Sequence, residues 1–426
     1  MKINKQTTWI VIAMILGVVV GYGCNVLSGS PAVAKDIAGY FAMVTDIFLR
    51  LIKMIIAPLI FTTLVAGMAG MGDARTVGRI GGKALGWFLM ASLASLAIGL
   101  VFANLFQPGA NVGVPLPDVS ASADLKTSSL NLKDFITHVF PRNIFEAMAN
   151  NEILQILVFS VFFGLALGSL KDTKARALIE VIEGAVPVML KVTDYVMRFA
   201  PVGVFAAVAN VVTVQGLGIL MVYGKFVGSF YATLVVLWAV LVGAGFLVLG
   251  ANVFRLVREV RQPMLVGFST ASSEAAYPRV MEKLEDFGVK ERVIGFVLPL
   301  GYSFNLDGSM IYTAFAALFI SQAYGLPLTM EQQIVMLLVL MVSSKGIAGV
   351  PRSALVVVAA VLPMFNLPEA GVLLIMGIDH FLDMGRTATN VLGNAIATTV
   401  VAKWENALDI PDGTEERTRG RLAAAE

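Results

Sequence analysis

Residues 379–394 read DHFLDMGRTATNVLGN and lie within an otherwise apolar run that covers residues 369–402. Six polar side chains recur along this segment, namely Asp379, Asp383, Arg386, Thr387, Asn390 and Asn394. At about 100° per residue, all six fall within an arc of about 100° on one helix. A polar stripe on a membrane-spanning helix must face the protein interior, because lipid cannot solvate it. The stripe therefore predicts a buried binding site.

The composition of the whole chain agrees with a membrane protein. The 426 residues are 57% hydrophobic and only 14% charged, and the mean hydropathy is +0.81. An ordinary soluble domain is about a quarter charged. These values exclude a soluble enzyme, a disordered protein and a nucleic-acid binder, and the net charge of +2 provides no field for a polyanion. One cysteine and two histidines exclude a disulfide framework and disfavour a metal cluster.

Eight apolar runs are long enough for transmembrane helices. They cover residues 8–28, 40–71, 82–106, 152–170, 198–214, 219–250, 292–320 and 369–402. Lysine and arginine cluster in alternate joints, which predicts eight crossings with both termini in the cytoplasm. A cleaved signal peptide is the alternative interpretation of the first run, although its length disfavours it. We expect a multi-pass membrane protein without enzymatic activity.

Two further apolar stretches, residues 256–290 and 331–368, are interrupted by small and polar residues. The interruptions lie at residues 268–274 and 343–353, and each has apolar chain on both sides. Irregular backbone survives at membrane depth only inside protein or beside a water-filled cavity. We therefore predict two re-entrant helical hairpins whose tips meet a midplane site. The alternative is that the small residues only allow close helix packing.

The seventh run is broken by residues 304–309, FNLDGS. A carboxylate and an amide at mid-span, with carbonyls freed by the break, suit a hard cation or a proton. The alternative is that Asp307 only neutralises a buried Arg or Lys. In the last run, Asp383 and Arg386 are one turn apart and can hold the amino group and distal carboxylate of a zwitterionic acid. The alternative here is an ion pair that only locks the helix to its neighbours.

At these residues the chain resembles the dicarboxylate/amino acid:cation symporter family, in particular the bacterial proton–glutamate/aspartate symporters. The likeness runs from residue 8 to 405. The resemblance implies an all-α fold of eight transmembrane helices and two re-entrant hairpins, with inverted repeats and an elevator mechanism. It also implies a homotrimer in membrane lipid. The implied scaffold is residues 1–77 and 111–215, the transport domain is residues 78–110 and 216–404, and residues 405–426 form a flexible cytoplasmic tail.

The resemblance also implies a role for each site residue. Arg386 and Ser309 bind the substrate's side-chain carboxylate, whereas Asp383 and Thr387 bind its amino group. The α-carboxylate is bound by Ser272, Ser273, Asn390 and the backbone at Gly349 and Val350. Dicarboxylate carriers of this family tend to lack the aspartate found here as Asp383, so a small acidic amino acid is the expected substrate. Arg352 is expected to provide a counter-charge to Asp383.

The resemblance assigns cation or proton coupling to Ser92, Gly301, Asn305, Asp307 and Asn394. Sodium-driven members have an aspartate in place of Asn394, a methionine in place of Leu306 and a threonine in place of Ala91. These departures favour proton coupling, with sodium as the alternative, and no cofactor or metal is expected. The proton-carrying glutamate of animal members aligns with Thr313. The candidate carriers are therefore Asp307, Glu274, Asp379 or the substrate itself, and Asp307 is preferred because a carboxylate without its sodium takes up protons more readily.

Three rival functions remain open at this stage. Within the family, the chain can be a C4-dicarboxylate carrier or a sodium-coupled symporter. Outside it, a passive anion channel is the alternative, because helix N-termini at the two hairpin tips would attract anions in either case. An intramembrane aspartyl protease is disfavoured, because the sequence GMGD at residues 70–73 lies in a basic joint and the chain contains no Tyr-Asp pair.

Overall fold

The computed structural model describes residues 5–71, 74–110, 116–117, 137, 139–170, 175–217, 223–344 and 353–410. Within these residues the protein is almost entirely helical, with sixteen α-helices and two short 3-10 segments. The all-α character predicted from the sequence is confirmed.

Within the described residues, the first half of the chain forms eight helices. They are α1 (Lys5–Leu27), α2 (Pro31–Met71), α3 (Ala74–Phe106), α4 (Ile144–Ala149), α5 (Ile153–Ser169), α6 (Arg176–Met197), α7 (Ala200–Gln215) and α8 (Gly224–Leu249). The second half is divided into shorter helices. They are α9 (Asn252–Thr270), α10 (Ser273–Phe287), α11 (Glu291–Phe304), α12 (Asp307–Ala323), α13 (Met330–Ser344), α14 (Ser353–Val361), α15 (Val372–Met376) and α16 (Asp379–Trp404). The 3-10 segments are Leu362–Phe365 and Glu369–Gly371.

Four helices of the described chain are each long and apolar enough to cross a membrane without a break, and these are α1, α2, α3 and α8. A fifth span is obtained if α6 and α7, which meet at an angle of 48°, count as one bent segment. The other crossings expected from the sequence fall on helices that are short, broken or polar. Multiple spans are thus clear, and the total of eight stays a prediction.

Two boundaries differ from the sequence expectation. The fifth apolar run was placed at residues 198–214, but α6 extends this segment back to Arg176. Charged residues in α6, such as Glu180 and Lys191, lower its mean hydropathy, so that α6 does not form an apolar run. The last run was placed from residue 369, but its continuous helix α16 begins only at Asp379, after a 3-10 turn and the short helix α15.

The first interrupted stretch forms two helices that pack against each other around a tight turn. Ala271 adopts a left-handed conformation (φ 49°) and ends α9. Ser272 then caps α10, because its hydroxyl accepts a hydrogen bond from the Ala275 N–H at 3.2 Å. The second interrupted stretch forms α13 and α14. Its interruption was predicted at residues 343–353, and residues 345–352 of it lie outside the described residues.

The helices pack in two groups. In the first, α1 lies along α7, and α2 packs against α5, α6 and α7. Glycines allow the close approach of α1 and α7, since a β-carbon on Gly21 would lie 2.7 Å from the Ala209 carbonyl oxygen. In the second group, α16 is the central helix and packs against α8 to α12, while α3 packs against α12. Nearly every residue of α16 from Thr387 to Ala402 is buried.

Candidate functional site

A cavity of about 400 Å³ lies between the α9–α10 turn, the broken segment between α11 and α12, and the polar stripe of α16. Six residues predicted to bind the substrate line it, namely Ser272, Ser273, Ser309, Asp383, Arg386 and Asn390. They come from three places that are far apart in the sequence. The structure therefore brings most of the predicted substrate residues to one cavity.

Arg386 and Asp383 form a close ion pair at the wall of the cavity. Nε and Nη2 of Arg386 lie 2.8 and 2.6 Å from Oδ1 of Asp383. The hydroxyl of Thr387 donates to the same oxygen at 3.1 Å, so Thr387 supports Asp383 without lining the cavity itself. The two charged side chains are only 13% and 14% exposed. A buried pair of this kind can exchange its internal bond for a ligand that carries both charges.

The Arg386 guanidinium also contacts an aromatic ring. The Tyr312 ring centroid lies 5.7 Å from Cζ of Arg386, and its hydroxyl donates to Asp379. The Tyr231 hydroxyl donates to the Phe381 carbonyl oxygen at 2.6 Å, which ties α8 to the first turn of α16. These contacts orient the charged face of α16 toward the cavity before a ligand binds.

The broken segment between α11 and α12 is held by amide side chains of α16. Asn390 accepts a hydrogen bond from the Gly308 N–H at 2.8 Å and donates to the Ser309 hydroxyl at 3.2 Å. Asn394 donates to the Asn305 carbonyl oxygen at 3.3 Å. Backbone groups freed by a helix break need such partners inside a membrane. The stripe thus also stabilises the break.

Asn305, Asp307 and Asn394 form a buried polar cluster beside the cavity but do not line it. Asn305 donates to Oδ2 of Asp307 at 3.2 Å. A β-carbon on Gly301 would lie 2.1 Å from Oδ1 of Asn394, and one on Gly393 would lie 2.1 Å from Oδ2 of Asp307. Gly301, another predicted coupling position, therefore belongs to the same cluster through its contact with Asn394.

Three buried oxygens at predicted coupling positions have no hydrogen-bond partner among the described residues. They are Oδ1 of Asn305, Oδ1 of Asn394 and the Ser92 hydroxyl. An unsatisfied buried acceptor costs about 1–3 kcal/mol. Amide, hydroxyl and carboxylate oxygens are the groups that a hard cation prefers. No group of three His, Cys, Asp or Glu residues in the described chain is arranged to hold a metal ion.

Three predicted site residues, Gly349, Val350 and Arg352, lie outside the described residues, and their roles stay predictions. Conversely, the cavity is also lined by residues that the sequence argument did not single out. They are Leu49, Lys53, Asn150, Asn151, Glu152, Ile153, Leu154, Tyr302, Ser303, Ser344, Ala354 and Val357. Lys53 carried a usable signal, since a lysine inside the apolar run 40–71 is costly and indicates function.

The chain is similar in sequence to known proteins over most of its length. A sequence model described as the sodium:dicarboxylate symporter family matches residues 7–404. The chain is 40% identical over 401 residues to the proton/sodium-glutamate symport protein of Geobacillus stearothermophilus, covering 93% of both chains. It is 41% identical over 418 residues to the proton/glutamate-aspartate symporter of Escherichia coli (strain K12), covering 96% of this chain and 95% of that one. It is 39% identical over 405 residues to the C4-dicarboxylate transport protein of Laribacter hongkongensis, covering 94% of this chain and 89% of that one.

A helical membrane fold with a charged cavity at a broken helix is typical of a solute carrier. The chain belongs to the sodium:dicarboxylate symporter family. It is therefore a cation-coupled symporter for glutamate or dicarboxylates and not an enzyme.

Proposed function

We propose that the protein takes up acidic amino acids, glutamate and aspartate, together with protons. The observation that carries this proposal is the Asp383–Arg386 pair at the cavity wall, where the two charges lie within one turn of α16. An acidic amino acid offers one ammonium and two carboxylates. Its ammonium fits Asp383 and its side-chain carboxylate fits Arg386, so the ligand replaces the internal ion pair with two external ones.

The second carboxylate of the substrate has its own set of donors. The Ser272–Ser273 turn brings the N-terminus of α10 to the cavity, and free N–H groups at a helix N-terminus favour an anion. Asn390 and Ser309 add an amide and a hydroxyl on the opposite wall. In our proposal Ser309 assists Arg386, while Ser273, Asn390 and the backbone at Gly349 and Val350 bind the α-carboxylate.

A C4-dicarboxylate carrier is the second candidate, because relatives with that name align over most of the chain. The presence of Asp383 argues against it. A dicarboxylate has no ammonium group, so it would leave the Asp383 carboxylate facing two further anions in a largely buried site. Competition of succinate and malate against labelled aspartate separates the two candidates, since our proposal expects aspartate to bind far more tightly.

Proton coupling is proposed over sodium coupling because of the buried cluster. Asn394 places an amide at the position where a sodium ion would need an anionic ligand. Among the clustered residues Asn305, Asp307 and Asn394, Asp307 is then the one that has a carboxylate. The orphan oxygens of Asn305 and Asn394 are the argument for the sodium alternative. The relatives named for both ions are consistent with either outcome.

We further propose that transport follows an elevator movement in a homotrimer of the bacterial inner membrane, with both termini in the cytoplasm. The scaffold would consist of α1, α2 and α4 to α7, and the transport domain of α3 and α8 to α16, with α9–α10 and α13–α14 as re-entrant hairpins. The helices α1, α2 and α5 to α7 pack more extensively against one another than against the remaining helices, which supports this division. The site would then cross the membrane as part of the moving group.

The decisive experiment is uptake of labelled glutamate and aspartate into proteoliposomes, with a proton gradient and a sodium gradient imposed separately. We expect accumulation above the external concentration when only the proton gradient is present. Accumulation that demands sodium at fixed pH would overturn the proton assignment. Equilibration without accumulation under either gradient would identify a passive anion channel and overturn the symport proposal.

A further inference from the structure

Glu274 lies where the substrate cavity meets the α9–α10 turn, as the second residue of α10. Its side chain is 27% exposed, so the carboxylate is mostly removed from solvent but can still exchange a proton with the cavity. None of the substrate contacts proposed above uses it. A carboxylate in this position needs an explanation, because a charge inside a membrane protein is costly.

Three carboxylates of the described chain line the cavity, those of Glu152, Glu274 and Asp383. Asp383 is bound by Arg386 and Thr387 and is assigned to the substrate ammonium. Asp307 and Asp379 are buried outside the cavity lining, where Asn305 donates to Asp307 and Tyr312 donates to Asp379. On geometry, Glu274 is thus in contact with the transport route, whereas Asp307 is not.

The charged and titratable groups around Glu274 come from both helix groups. Lys53 of α2 places Nζ 4.0 Å from Oε2 of Glu274, and its own side chain is 54% exposed. Glu152, just before α5, lines the same cavity, as does Tyr302 of α11. Asp383 and Arg386 of α16 line the opposite wall. Lys53 stabilises the ionised carboxylate, while Glu152 opposes it.

This arrangement ties the charge on Glu274 to the position of the moving group. Lys53 and Glu152 belong to the proposed scaffold, whereas Glu274 belongs to the proposed transport domain. If the transport domain slides along the scaffold, Glu274 leaves Lys53 behind and loses its nearest positive charge. A lone carboxylate in a low-dielectric environment is more easily carried across the membrane as the neutral acid.

We propose that Glu274 carries the co-transported proton, which binds its carboxylate from water on one side and leaves to water on the other. This inference rests on the proposed proton-coupled symport. In the arrangement seen here, Glu274 forms its ion pair with Lys53 when its carboxylate is deprotonated. Loading of the proton and departure from Lys53 then occur together in the substrate-loaded step. The empty carrier returns only after Glu274 has released its proton on the other side and can pair with Lys53 again, which couples net uptake to proton transfer.

The test compares net uptake with exchange in proteoliposomes made with wild type and with Glu274→Gln. Exchange of internal for external aspartate requires no proton release, so Glu274→Gln should retain it. Net uptake driven by a proton gradient should fall to the level of protein-free liposomes. Glu274→Asp keeps a carboxylate and should restore proton-driven uptake, which a purely structural role of the side chain would not require.

The matched control is Glu152→Gln, the same substitution on the other glutamate of the cavity, which should retain proton-driven uptake. Proton-driven net uptake by Glu274→Gln would overturn the proposal. The proposal would also be overturned if Asp307→Asn, and not Glu274→Gln, retained exchange but lost net uptake. Failure of wild type to accumulate acidic amino acids under a proton gradient would instead overturn the proposed function, and the two failures are therefore distinct.

If Glu274→Gln shows neither exchange nor uptake, proton binding is measured directly in detergent solution. A pH-sensitive dye reports protons taken up or released when aspartate is added to wild type and to Glu274→Gln at matched substrate occupancy. Loss of this signal in the variant supports the proposal, and an unchanged signal contradicts it.

Discussion

Gly301 lies so close to Asn394 that a β-carbon on the glycine would stand 2.1 Å from the amide Oδ1 of the asparagine. This contact joins α11, just before its break, to the polar stripe of α16. The same side-chain amide donates from Nδ2 to the carbonyl oxygens of Asn305 and Asn390, at 3.3 and 2.9 Å. The break and the stripe are therefore joined by one buried contact that has no room for a larger residue.

Gly301→Ala is expected to destabilise the protein by about 1–3 kcal/mol, the usual cost of forcing extra volume into a packed core. The added methyl group meets the Asn394 amide and must displace α11 or α16. Thermal unfolding in detergent measures the change. The control is Gly228→Ala in α8, where a β-carbon meets no atom within 4 Å. Equal melting temperatures for the two variants would contradict the close packing at Gly301.

Asn394→Asp should make the protein sensitive to sodium. Asn394 now donates to two carbonyl oxygens, and a carboxylate there would face those oxygens without a proton to share. A bound cation would relieve this repulsion and would also contact the orphan oxygen of Asn305. We expect the variant to be less stable than wild type in choline chloride and to recover in sodium chloride.

The measurement for Asn394→Asp is the melting temperature in each salt at equal ionic strength. Wild type provides the reference for nonspecific salt effects. Asp286→Asn, a substitution of an exposed side chain, controls for the effect of preparing and measuring a variant. An identical response of wild type and Asn394→Asp to sodium would contradict this prediction.

Asp383→Asn should weaken binding of aspartate and glutamate. Truncating one partner of a buried, hydrogen-bonded charge pair costs about 2–5 kcal/mol, because the other charge is left uncompensated. In the variant the Arg386 guanidinium keeps its positive charge, so succinate should lose less affinity than aspartate does. Competition binding with both ligands measures the ratio. An equal loss for the two ligands would contradict the assignment of Asp383 to the ammonium group.

Glu405 should link the end of α16 to α3 through ion pairs whose strength depends on pH. Hydrogen bonds from Arg79 and Lys83 lower the pKa of this carboxyl below its ordinary value of 4.5. Nη2 of Arg79 lies 2.8 Å from Oε2 of Glu405, and Nζ of Lys83 lies 2.6 Å from Oε1. A lowered pKa means that the stabilisation is present at neutral pH and is lost as the pH falls below about 4.5 through the native pKa.

Glu405→Gln should therefore melt at a lower temperature than wild type at pH 7, and the difference should narrow in acid. Unfolding curves over this pH range check the sign of the effect. Glu180→Gln is the control, because Glu180 pairs with Arg176 on the exposed surface of α6 and should contribute little at any pH. A difference that grows in acid would contradict the role of Glu405.

Arg279 joins the two groups of helices through an ion pair that a sliding movement must break. Its Nη1 lies 2.9 Å from Oδ1 of Asp194 on α6, and the same guanidinium contacts Glu282 within α10. Asp194→Asn removes the contact between groups, and Glu282→Gln removes a partner within one helix. We expect only the first change to shift the balance between transport-domain positions, as measured by fluorescence energy transfer between labels on α2 and α8. Equal shifts in both variants would argue for a local role of Arg279.

Much of the candidate site follows from local patterns along the chain. The spacing of Asp383, Arg386 and Asn390 puts them on one face of a helix regardless of what surrounds it, and lipid cannot solvate that face. The break at Asn305–Leu306 and the turn at Ala271–Ser272 are likewise visible as polar residues inside apolar runs. By contrast, α6 was missed because its charged residues give it the composition of a surface helix.

The sequence by itself determined the helical class, the places where helices break and the polar face of α16, because each depends on residues within a few turns of one another. Only the tertiary structure decided which walls face Glu274, that Lys53 and Glu152 share its cavity, and that Gly301 has no room beside Asn394. These contacts join residues more than 90 positions apart, or helices whose relative position depends on the packing of the whole bundle. No periodicity along a single segment encodes them.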